Sequence, residues 1–151
     1  MTRTNLLCLA ALAAIAGAGA AHAAPRLLSS VPDEKSLVAP TQRIELRFSE
    51  PVSARLSSGD LTMTTMVMNG RLENMDMPMG HLATSVEPAH PNTLVLTSRS
   101  LLAVGTYNLK WRVAGGAGPL TQGTLIFNVK GAGTHAGPPH HHPAVAPGTG
   151  S

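Results

Sequence analysis

Alternation between apolar and polar positions is the clearest signal along the chain. Ile44, Leu46 and Phe48 alternate with Glu45 and Arg47, the pattern of a strand with one buried face. Thr93 to Thr97 is a compact β-branched run. Tyr107, Leu109 and Trp111 alternate with Asn108 and Lys110, and Leu125, Phe127 and Val129 alternate with Ile126 and Asn128. Turn-forming residues punctuate these runs at Pro32-Asp33, Ala39-Pro40, Ser58-Gly59-Asp60, Asn69-Gly70, Pro91-Asn92 and Gly105-Thr106. No segment has helical periodicity and no internal repeat is present. About seven short strands at such spacing predict an all-β fold, a seven-stranded antiparallel β-sandwich.

Both ends of the chain depart from this pattern. Arg3 precedes an unbroken apolar run, Leu6 to Ala16, followed by small residues up to Ala21-His22-Ala23. This is the layout of a cleavable secretory signal, residues 1–23, with the cut after Ala23 and a cut after Ala21 as the alternative. The run is shorter than the roughly 20 residues a membrane helix needs. Beyond Lys130 the chain holds five Gly, four Pro, four Ala and four His, with no charged side chain. Such a segment has almost nothing to bury, so 131–151 is expected to be a disordered tail. The domain is then 24–130, and the expectation is a soluble exported protein.

Charge and cysteine content narrow the function. The whole chain carries a formal +3, and removing Arg3 leaves ten basic against eight acidic residues, too small an excess to argue for nucleic acid. The single cysteine, Cys8, lies inside the apolar run. A lipidated cysteine would follow that run, and this one leaves with the signal. The exported chain therefore has no disulfide, no thiolate ligand and no cysteine nucleophile. Carboxylates are scattered, and no G-x-S-x-G, H-E-x-x-H or P-loop pattern occurs. An enzyme is not expected.

Methionine carries the remaining information. Beyond the initiator, all six methionines (Met63, Met66, Met68, Met75, Met77 and Met79) fall within seventeen residues, and His81 follows. Thioether sulfur is a soft, neutral donor that suits Cu(I) far better than Zn(II), Mg(II) or Ca(II). It binds without losing a proton, and it forms no disulfide in an oxidising compartment. Methionine also fills gaps in cores, and Met63 with one of Met66 or Met68 sits at inward strand spacing. Met75-Asp-Met-Pro-Met79 has Asn, Asp, Pro and Gly around it, which predicts a loop in which the sulfurs serve a metal. In the tail, His135, His140, His141 and His142 form a second, weak and unselective candidate site. His90, beside Pro91, reads as a surface residue.

In order and spacing these segments resemble the periplasmic copper-resistance proteins of the CopC/PcoC type. Pro25-Arg-Leu-Leu-Ser-Ser-Val-Pro32 is similar to the family's opening strand, and Ile44 to Glu50 to its second. The stretch from Met63 lies where the family carries its Cu(I) loop. Gly105-Thr-Tyr107, Trp111-Arg112 and Gly123 to Lys130 are similar to the later strands. The resemblance implies a Greek-key, cupredoxin-like or Ig-like sandwich working in the periplasm. It maps a Cu(I) site onto Met63, Met66, Met68, Met75, Met77, Met79 and His81, with Met66, Met75, Met77, Met79 and His81 foremost. It also implies handover to an inner-membrane copper transporter or a periplasmic multicopper oxidase. A chaperone for oxidase assembly and a metal-free interaction module are the alternatives. The family's Cu(II) site uses an N-terminal histidine and an Asp-x-His motif. Ala24 and Ala117-Gly118-Pro119 stand at those places, so that site is expected to be absent.

Overall fold

The computed structural model describes residues 23–116 and 118–131. The expected signal, apart from Ala23, and the tail with His135, His140, His141 and His142 lie outside the described residues. Nine strands follow one another: β1 (Leu27–Val31), β2 (Leu37–Val38), β3 (Arg43–Phe48), β4 (Ser58–Met68), β5 (Arg71–His81), β6 (Ala83–Glu87), β7 (His90–Thr97), β8 (Gly105–Ala114) and β9 (Leu120–Val129). They form two sheets, in the orders β1-β3-β7-β6 and β2-β9-β8-β4-β5. The expected sandwich is present, with nine strands among the described residues in place of the expected seven, and the return of β7 to β3 and of β8 to β4 gives its Greek-key crossovers.

Several local expectations are corrected. Pairing is antiparallel except for β2, which runs parallel to β9 at Leu37↔Asn128 and Val38↔Val129. Ser58-Gly59-Asp60 opens β4 and Gly105-Thr106 opens β8, both in place of expected turns, and the turn expected at Pro91-Asn92 falls at Pro88-Ala89. The segment Met75 to Met79, expected as a loop, lies within β5. Edge position explains this last difference. A strand bonded on one side only tolerates Pro78 and a run of polar residues that a central strand would not.

Alternation holds where both sheets meet. In β8, Tyr107, Leu109, Trp111 and Val113 point inward, and Leu125, Phe127 and Val129 do so from β9. Ile44, Leu46 and Phe48 of β3 and Leu94 and Leu96 of β7 close the core from the other sheet. All four aromatic residues of the chain fall into two pairs. Phe48 meets Trp111 edge-on at 5.4 Å, and Tyr107 stacks on Phe127 at 5.6 Å. The Tyr107 hydroxyl donates to the Ala103 carbonyl at 2.9 Å, and burial pushes its pKa upward.

Candidate metal centre

All seven candidate residues outside the tail stand on one hairpin, β4–β5. Its turn is Asn69-Gly70, with φ of 50° and 76°, the left-handed pair that a two-residue type I′ turn requires and that Asn-Gly supplies best. The ladder starts from Met68↔Arg71 and runs through Val67↔Leu72 and Met66↔Glu73. β4 is held on its other side by β8, from Ser58↔Arg112 to Met66↔Gly105. β5 has no second neighbour in its sheet. The hairpin is thus fixed along one strand and free along the other.

The six methionines divide by depth. Met63 is 1% exposed and belongs to the core beside Leu61 and Tyr107. Met66 and Met75 are half-buried and pack against the core margin. Met68, Met77 and Met79 are 49%, 44% and 38% exposed. Met77 is the direct cross-strand partner of Met63, so the two share one face of the sheet, one sealed and one open. Val67 and Leu72 add exposed apolar surface near the turn, Leu72 at 73%.

Register moves the histidine. An unbroken ladder from the turn would set Asp60 opposite Met79. Two irregularities, between Met63 and Thr65 and between Leu61 and Thr62, each admit an extra residue in β5, so Asp60 faces His81. Such bulges re-aim side chains along an edge, and Gly80, at φ 85°, takes up the bend. His81 Nδ1 is paired with Asp60 Oδ1, and the imidazole remains largely exposed. Met79 and His81 together line a depression of about 360 Å³, with Ser98, Arg99 and Ser100 also in its lining. Asp60 is the residue that sequence reasoning passed over. Only the shifted register reveals it, since neither extra residue has a signature in the sequence.

A CopC domain matches residues 27–130. The chain belongs to the CopC family. Copper resistance protein C from Escherichia coli is 40% identical over 112 residues, which cover 73% of this chain and 84% of that protein. Its namesake from Pseudomonas syringae pv. tomato is 37% identical over 131 residues, 86% and 98% of the two chains. Among solved structures, PcoC, a methionine-rich copper resistance protein from Escherichia coli, aligns with a TM-score of 0.59 at 37% identity, covering 72% of this chain and all of PcoC. Within this CopC-family sandwich the six methionines from Met63 to Met79 cluster on the β4–β5 hairpin, whose outer strand is bonded on one side only among the described residues. No helix among the described residues is long and apolar enough to cross a membrane.

Proposed function

We propose that this CopC-family chain is a periplasmic copper carrier that holds Cu(I) on the β4–β5 hairpin and passes it on. One observation carries the reading: Met77 and Met79 stand open on an edge strand, with Met75 and Met66 at the core margin and His81 at the hairpin base. Packing alone gives no reason for thioethers at open positions of a strand whose other residues are mostly charged or polar. The relatives' names, copper resistance proteins, support the same cargo. Soft thioethers with one imidazole suit Cu(I), which takes three or four such donors. Met63 serves the core, and Met68 marks the tip.

Release follows from the same chemistry. Neutral thioethers exchange one at a time, so an acceptor bearing methionines takes the ion by stepwise replacement, with no proton to move. Acceptors of this kind are an inner-membrane copper transporter or a periplasmic multicopper oxidase. Residues 1–23 act as the export signal and 131–151 as a solvated tail whose histidines bind metal only weakly. Without a terminal histidine and Asp-x-His, the chain is a Cu(I) protein and not a two-site shuttle.

The test is an anaerobic Cu(I) titration against a chromophoric competitor. One tight Cu(I) per chain is expected, unchanged when 131–151 is deleted and lost in the Met75→Leu/Met77→Leu/Met79→Leu variant. Retention in that variant overturns the site. The exposed tip, Val67, Met68 and Leu72, favours a second reading in which the hairpin is a docking patch. Replacing all six methionines by leucine separates the two, since docking survives it and Cu(I) binding does not.

A further inference from the structure

The pairing of His81 with Asp60 assigns a role to a carboxylate outside the donor set. We propose that Asp60 is a positioning residue for the copper ligand His81: it accepts the Nδ1 proton, fixes the neutral tautomer and turns the Nε2 lone pair toward the depression that Met79 lines. This rests on the carrier reading above. Three observations support it. The contact is Nδ1 to Oδ1, which leaves Nε2 as the free nitrogen. Asp60 itself is held on β4 between β5 and β8, facing His81 on one side and Lys110 on the other, so its backbone is fixed while the imidazole is largely exposed. The two extra residues in β5 are what bring His81 into this register. A ring this exposed would otherwise sample both tautomers and many orientations. A carboxylate on the remote nitrogen removes that freedom, and loss of such a partner lowers metal affinity about 10- to 100-fold.

Two measurements on the full exported chain test the assignment. Long-range proton–nitrogen spectra of the metal-free protein, above the imidazole titration range, report the tautomer. The Nδ1–H form of His81 is expected to dominate and to give way to Nε2–H in Asp60→Ala. An Nε2–H form in the native chain, or an unchanged tautomer in the variant, overturns the proposal whether or not copper binds. Cu(I) competition then gives the affinity. Asp60→Ala is expected to weaken binding about tenfold, Asp60→Asn less, and neither to add any loss in a His81→Ala background. If His81→Ala weakens binding while Asp60→Ala does not, Asp60 has no positioning role and the carrier reading stands. If the native chain binds no Cu(I), the carrier reading itself falls, and this inference with it.

Discussion

β5 and β8 both lie beside β4 and are nearly equal in length, yet they have opposite characters. In β8 every second side chain from Gly105 to Trp111 is buried, and its ladder to β9 runs without a break from Gly105↔Val129 to Ala114↔Leu120. In β5 only Met75 is even half-buried, and its ladder to β4 slips twice in eleven residues. Burial enforces register, because a slip of one residue turns a whole apolar set toward water. The slip between Met63 and Thr65 is shared with the β4–β8 ladder, whereas the one between Leu61 and Thr62 occurs only toward the exposed edge, where register is free to follow other needs. β5 carries half of the six clustered methionines, Met75, Met77 and Met79, together with His81, so the chain separates what holds it together from what it presents.

Four substitutions sharpen or break that separation, ranked by their expected effect on stability. Phe127→Ala removes one ring of the Tyr107 pair in the fully buried layer and is expected to cost about 3–5 kcal/mol in urea denaturation. Gly123→Val comes next. A Cβ at this position lies 2.4 Å from the Trp111 ring, so overpacking is expected to cost about 1–3 kcal/mol and to alter the tryptophan near-ultraviolet signal. Met63→Leu nearly conserves volume in the core and is expected to cost less than about 1.5 kcal/mol, with Cu(I) affinity within about twofold of native. A large loss of affinity there places the sealed sulfur in the site and ends the division between β4 and β5. Smallest in stability is the triple leucine variant of Met75, Met77 and Met79, under about 1 kcal/mol, although its Cu(I) binding disappears in the competition titration. A drop of several kcal/mol in that variant instead makes the row a packing feature.

The same contrast decides what was legible beforehand. β3, β8 and β9 announce themselves by alternation, because burial of one face writes itself into every second residue, and β7 by a compact run that is buried from Thr93 to Leu96. Asn69-Gly70 identified its turn, since few pairs accept two left-handed residues in succession. β5 was unreadable as a strand: Asn74, Asp76, Pro78 and Gly80 are loop residues by composition, and an edge accepts them. The clustering of Met75, Met77, Met79 and His81 was plain in the sequence. Their division by depth, and the meeting of His81 with Asp60, depend on two extra residues that leave no compositional trace. The two-residue β2 was equally invisible, being held by a parallel pairing with β9.

The free edge of β5 also sets a clock. To peel this strand is to break one ladder, while β4 stays bonded to β8 and the aromatic pairs stay shut. Hairpins form in roughly 1–10 μs, whereas opening a whole small domain takes from under a second to days. The outer strand can therefore open and re-form many thousands of times within the lifetime of the folded sandwich, without altering the durability of the domain.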